Sequence, residues 1–304
     1  MDSFHLHILG AGSALPTKSC NQPSQILSMR EKSFMIDCGE GTQRQMRSDN
    51  VRISRLNNIF ISHLHGDHCF GLIALISSLG MFNRTADLYI HAHPDLKKIL
   101  SPLIDCFCEG MTYKVVFEPI NPFKHELIYE DRSLSVYTIP LKHKMPTCGF
   151  LCSEKEKDRH IVREMVDFYK VPIREMQNIK RGADFVTEEG EMISNSRLTT
   201  DPTPSKKYAY CSDTIYTESI IPYIEGVDCL FHEATFLHAD LIKAKATMHS
   251  TALQAATIAQ KAKVKHLILG HYSARYEDLS PFLTEAQSVF PNTSLAMDGL
   301  SFDF

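Results

Sequence analysis

Apolar residues gather in short, strand-like runs along the whole chain. The runs predict strands at residues 4–9, 24–29, 34–37, 58–62, 87–91, 112–117, 134–140, 149–153, 207–211, 229–232 and 266–271. Between some of them the apolar spacing turns helical, at 70–80, 94–100, 161–169, 217–223, 251–263 and 279–290. The helix at 251 opens with Thr251 and Gln254, the spacing of a capping box. Strands alternating with helices point to a layered α/β protein. The early section is mostly strands with short turns, which fits a purely parallel, doubly wound sheet poorly. No short-period repeat is present. One stretch, 154–205, breaks the pattern. It starts with the charge run Glu154-Lys155-Glu156-Lys157-Asp158-Arg159 and ends with Thr199-Thr200-Asp201-Pro202-Thr203-Pro204. A helical segment lies inside it. We read it as an insertion from a single domain spanning 1–304, the rival reading being a solvated surface helix and loop.

Composition narrows the class. With 304 residues, 43% hydrophobic and 22% charged, the chain is long enough for a large core and is neither disordered nor fibrous. It has no run of the roughly 18–20 uncharged apolar residues that a membrane span needs, so no membrane partner is expected. The start, MDSFHLHILGAGSALP, lacks the basic and long apolar segments of a secretory leader. Nine cysteines, none in a C-x-x-C pair, suggest free thiols in a reducing cytoplasm rather than disulfides or a zinc finger. The net charge of −4 is the wrong sign for a non-specific nucleic-acid binder, so any RNA would be met through local patches or metal ions.

The 15 histidines change the picture, because imidazole binds metals and moves protons near neutral pH. Four potential ligands fall within six residues, His63-Leu64-His65-Gly66-Asp67-His68, between an apolar run and a helical pattern. One ion cannot be reached by all four from a regular helix, but a loop can turn them in pairs toward two neighbouring ions. His63 and His65 would serve one ion, Asp67 and His68 the other. Imidazole and carboxylate suit zinc, with manganese or iron as alternatives. Further ligands would come from His143, Asp213 and His271, each just past an apolar run, where open α/β sheets place their ligands. A carboxylate such as Asp213 can bridge two ions about 3.5–4 Å apart.

This order of ligands resembles the metallo-β-lactamase superfamily, and further motifs resemble its ribonuclease Z branch in the short form. Asp37-Cys38-Gly39-Glu40-Gly41-Thr42 with Gln45 is similar to its first motif, and Lys142-His143 with Pro146, Gly149 and Phe150 to its third. Ser212-Asp213-Thr214, His232-Glu233-Ala234-Thr235, His249-Ser250-Thr251, His271-Tyr272-Ser273-Ala274-Arg275-Tyr276 and Ala296-Met297-Asp298-Gly299 follow in family order. The resemblance implies an α/β fold, a metallo-β-lactamase-like αββα sandwich with a protruding arm insertion. It implies two Zn2+ per subunit, with Mn2+ or another divalent ion as the alternative. His63, His65 and His143 would hold the first ion, Asp67, His68 and His271 the second, and Asp213 would bridge. Asp67 would also take a proton from the attacking water, while Glu233 and His249 would assist leaving-group protonation. The implied substrate is precursor tRNA, cut to leave a 3′-hydroxyl on the tRNA and a 5′-phosphate on the trailer, by a cytoplasmic homodimer. The chain departs from the family at the arm tip, where Val171-Pro172-Ile173-Arg174-Glu175-Met176 stands in place of a Gly-Pro-rich segment. Two rival readings remain: a small-molecule phosphodiesterase or other metallo-hydrolase of the same superfamily, and an RNA-binding scaffold with a dead site. Gly10-Ala11-Gly12 follows a strand but opens no helical pattern, so it reads as a turn at the sheet edge.

Overall fold

The apolar runs become the strands of two seven-stranded sheets. The computed structural model describes residues 4–18 and 20–304. Residues 1–3, the start of the stretch read for a leader, and Ser19 lie outside the described residues. The first sheet runs in the order Ser301–Asp303, His5–Gly10, Ser24–Met29, Lys32–Cys38, Leu56–Phe60, Leu88–Ala92 and Val115–Pro119. Its first four strands pair antiparallel, with a tight turn joining Ser24–Met29 to Lys32–Cys38. Its last four pair parallel, which requires crossover helices such as Gly71–Met81 and Asp95–Phe107. The second sheet runs Thr293–Leu295, Leu267–Gly270, Cys229–Glu233, Lys207–Cys211, Cys148–Glu154, Leu134–Pro140 and Leu127–Glu130.

Both faces of the first sheet are covered, and the period-two geometry of a strand sorts its side chains between them. Met35, Ile59, Ile61 and Ile90 join Leu72, Leu75, Ile76, Leu79, Leu96 and Leu100 in one core cluster beneath the crossover helices. The alternate residues face the second sheet. The Phe60 ring lies 5.5 Å from Phe150, and Phe34 packs edge-on against Tyr129 at 5.4 Å. Helices Ala252–Lys261 and Ser280–Gln287 pack on the second sheet. The layers are therefore αββα, and each fully buried phenylalanine between them contributes about 1.5–3 kcal/mol.

Several boundaries differ from expectation for physical reasons. The helix predicted at 94–100 continues to Phe107 through Pro102. An internal proline costs about 3 kcal/mol, offset here because Leu103 and Ile104 keep the helix face packed on the core. The capping box is realised: Thr251 accepts from the Gln254 backbone N–H and the Gln254 side chain accepts from Thr251 N–H. Helix Thr42–Ser48 went unread because it is polar and buries only Thr42 and Met46. Gly10 ends its strand at a register shift where a Cβ would lie 1.9 Å from the Gln22 carbonyl oxygen. Its glycine thus serves a close backbone approach.

The chain divides into two compact units, the second made of Asp131–Leu134 and Ser153–Ser205. This unit has its own small core of Val166, Val171, Ile179, Ile193 and Leu198. Asn195 ties it together, donating to the carbonyls of Ile179 (2.7 Å) and Ala183 (2.8 Å). Helix Arg163–Phe168 occupies the stretch where 161–169 was read as helical. Among the described residues, no helix is long and apolar enough to cross a membrane.

Candidate metal centre

Strand Leu56–Phe60 runs out into the loop that carries His63 and His65, and the single-turn helix Gly66–Cys69 follows with Asp67 and His68. A loop is needed here because a continuous strand would send alternate residues to opposite faces. The other three ligands arrive from ends of the second sheet. Asp213 lies two residues past strand Lys207–Cys211, His143 three past Leu134–Pro140, and His271 directly past Leu267–Gly270. His271 has φ 63° and its N–H donates to the Ala11 carbonyl at 2.7 Å. Such a left-handed backbone costs a side-chain-bearing residue of order 1–3 kcal/mol, and persists only where surrounding contacts impose it.

All seven predicted metal residues converge. His63, His65, His143 and Asp213 form one group of potential ligands, and Asp67, His68 and His271 form another. His63 Nε2 lies 3.5 Å and His143 Nε2 3.8 Å from Asp213 Oδ2. The other carboxylate oxygen, Oδ1, lies 3.4 Å from His68 Nε2 and 3.1 Å from His271 Nε2. Asp213 therefore turns one oxygen toward each group. Asp67 Oδ2 is 3.4 Å from His68 Nε2 and 3.6 Å from His271 Nε2. Zinc bonds of about 2.0–2.2 Å in a tetrahedron put ligand atoms roughly 3.4 Å apart, so these separations are those of a chelating set. His143 Nε2 gives an independent sign. It is buried with no hydrogen-bond partner among the described residues, and its Nδ1 donates to the Met248 carbonyl at 2.9 Å. A lone pair left bare in the interior is costly unless an electrophile takes it. The donor set fits a divalent cation.

The electrostatics suit that role at three of the histidines, whereas at His68 burial is outweighed by the Asp213 and Asp37 carboxylates, which hold its pKa well above the ordinary value while no ion is bound. Burial pulls His63, His65 and His143 below the ordinary imidazole value, favouring the neutral ring that metals require. Burial opposes ionisation of Asp213, yet His271, His68 and His63 hold its carboxyl well below the usual carboxylate range. Asp67 is likewise held low against burial by His271 and His68.

Two buried carboxylates organise the ring from behind. Asp37, with φ 58°, accepts from Ser62 N–H (2.8 Å), the Ser62 hydroxyl (2.9 Å), His68 Nδ1–H (2.7 Å) and the Tyr210 hydroxyl (2.7 Å). Glu233 accepts from the backbone N–H groups of Thr214, Ser250 and Thr235, from the Thr235 hydroxyl (2.8 Å) and from His249 Nδ1–H (2.9 Å). Thr235 Oγ1 in turn accepts from His271 Nδ1–H at 2.9 Å. Burial lowers the His249 pKa, but the charge and hydrogen bond of Glu233 more than reverse this, leaving it raised from 6.5 to about 9. Glu233 thus favours the protonated form of His249. Sequence reasoning gave no part to Thr235, Tyr210 or Asp37 in holding the ligands. The available signals were the charged Asp37 ending an apolar run and the places of Asp37 and Thr235 in the family-like motifs.

The model of a family described as "Anti-Pycsar protein Apyc1" matches residues 4–143. A ribonuclease Z of Parabacteroides distasonis is 58% identical over 300 residues, covering 99% of both chains. The chain belongs to the ribonuclease Z family. Among solved structures, the short form of human tRNase Z superposes with a TM-score of 0.72 at 22% identity, covering 98% of each chain. The metallo-β-lactamase fold protein YhfI of Bacillus subtilis gives 0.69 at 16% identity, covering 100% of each. The fold of this ribonuclease Z family member is the metallo-β-lactamase fold, the αββα sandwich that the resemblance implied. A divalent-metal-dependent ribonuclease chemistry accompanies that membership.

Proposed function

We propose that this ribonuclease Z family member is an endoribonuclease that removes the 3′ trailer from precursor tRNA, leaving a 3′-hydroxyl on the tRNA and a 5′-phosphate on the trailer. The observation that carries the reading is the convergence of seven nitrogen and oxygen ligands at chelating separations in a chain with full-length ribonuclease Z relatives. His63, His65 and His143 would hold one zinc ion and Asp67, His68 and His271 the second, with Asp213 shared; manganese suits the same donors. When bound, the two cations supply Lewis acidity that acidifies water and offsets charge on the phosphoryl oxygens. Asp67 accepts the proton that the attacking water gives up. His249 is the general acid: Glu233 holds its Nδ1, leaving the ring to deliver a proton to the departing 3′ oxygen, a poor leaving group unless protonated. With water as the nucleophile, the RNA 2′-hydroxyl plays no part.

The unit built from Ser153–Ser205 serves as the arm that grips the tRNA body, supported by Lys180 and Arg181 on and after its helix Met176–Lys180. The enzyme works as a homodimer in the cytoplasm. The exposed Phe70, Met81 and Phe82 at the two ends of helix Gly71–Met81 favour a partner face there, and nine free thiols suit a reducing compartment.

Zinc-loaded protein incubated with a 3′-extended precursor tRNA, with the cut mapped to a single nucleotide and His65→Ala as control, tests the reading. A metal-dependent cut at the base of the trailer, lost in the control, is expected. Brisk hydrolysis of a small phosphodiester without tRNA cleavage would replace it with a small-molecule phosphodiesterase.

A further inference from the structure

The strand Lys207–Cys211, which leads to Asp213, also reaches across the sandwich. Three residues before Asp213, Tyr210 sends its hydroxyl from the second sheet to the carboxylate of Asp37 on the first, at 2.7 Å. Asp37 Oδ2 also accepts from His68 Nδ1–H at 2.7 Å, which leaves His68 Nε2 directed at Asp213 and Asp67. We infer that Tyr210 is a positioning residue for the metal centre: its hydroxyl fixes the carboxylate that orients His68. The inference rests on the reading of His68 as a ligand.

The argument turns on where the restraints on Asp37 come from. Its other donors are the backbone and hydroxyl of Ser62 and the ring of His68, all from the segment that carries the ligand motif. These can shift together with that segment. Tyr210 is the restraint from the opposite sheet. Its ring is fully buried and stacks on Phe231 of the adjacent strand at 5.0 Å between centroids. The backbone is pinned too: a Cβ on Gly149 of the neighbouring strand would lie 2.2 Å from the Tyr210 carbonyl oxygen. The phenol therefore has one place to be. Burial, with the Asp37 carboxylate beside it, raises its pKa well above the ordinary value, so it stays a donor at working pH. One strand and the loop that leaves it thus supply both Asp213, read as the shared ligand, and the anchor for a ligand on the facing sheet. His63 is tied to the same carboxylate only indirectly, through the Ser62 hydroxyl at 3.0 Å from its Nδ1. Losing the Tyr210 hydroxyl should consequently weaken the group that contains His68 more than the group that contains His63.

Tyr210→Phe tests this, because the ring can keep its stacking on Phe231. Zinc affinity is measured at both sites by competition with a chromophoric chelator, on full-length wild type, Tyr210→Phe and His68→Ala, alongside thermal unfolding of the metal-free proteins. Partners that orient ligand histidines are typically worth about 10–100-fold in metal affinity. A loss of that size at one of two sites in Tyr210→Phe, at the site His68→Ala also weakens, is expected. Two sites of wild-type affinity in Tyr210→Phe, with only a lowered melting temperature in the metal-free protein, would overturn the inference and make the residue merely structural. Failure of His68→Ala to weaken either site, or wild type binding fewer than two zinc ions, would instead remove the ligand reading, and the inference with it.

Discussion

Replacing Glu233 by glutamine should shift the alkaline limb of the pH–rate profile to lower pH. Glu233 is fully buried and its two oxygens accept five hydrogen bonds, one from His249 Nδ1–H at 2.9 Å. Its charge is the main reason why His249 sits at about 9 rather than 6.5 or below. That rise corresponds to about 3 kcal/mol of preference for the protonated ring. The sign follows from linkage. A histidine whose folded pKa is raised contributes stability that is fully present below about 6.5 and is lost as pH climbs through about 9. At pH 8 a group titrating at 9 is about 90% protonated, and one titrating at 6.5 about 3%. Glu233→Gln should therefore lower single-turnover cleavage at pH 8 by roughly 30-fold through protonation alone, and more through the misplaced ring. Bound cations would pull His249 down in both proteins, so the difference between the two is the quantity to read. The assay is the pH–rate profile of precursor tRNA cleavage, by wild type and variant, from pH 6 to 10. Activity that falls at the same alkaline pH in both would refute the assignment of His249 as an acid tuned by Glu233.

Removal of residues 158–197 should weaken cleavage of precursor tRNA and reduce its salt dependence, while hydrolysis of a small phosphodiester stays largely intact; equal loss of both would sink the arm reading. Exhaustive chelation should abolish activity and lower the melting temperature, because cations that bind only the folded state stabilise it by mass action; elemental analysis of the reloaded protein should return about two metals per chain, and none would favour a scaffold. Thr251→Ala breaks the capping box of helix Ala252–Lys261 and should cost about 0.5–2 kcal/mol in denaturant unfolding with cleavage unchanged at permissive temperature.

What could be read in the chain was what is local to it. His63, His65, Asp67 and His68 lie within six residues, so their shared chemistry shows as a spacing. Strands Ser24–Met29, Leu134–Pro140 and Lys207–Cys211 have the bounds that their strand-like runs give, since most positions on both faces are buried. Thr251 and Gln254 state their helix start in four residues. The edge strand Ser301–Asp303 is different: three residues carry too little pattern, and its existence depends on pairing with His5–Gly10 nearly three hundred residues away.

The sequence by itself determined the ligand types, the strand-forming runs and the family. Only the tertiary structure decided how those ligands are held. Asp213 faces both groups because the second sheet ends beside the motif loop of the first, and no spacing along the chain records that meeting. Asp37 and Tyr210 become one anchor because two sheets pack face to face, and Thr235 links Glu233 to His271 because two strand ends adjoin. A buried carboxylate is affordable only where several donors reach it together, and donors drawn from separate elements come together only once the core has formed.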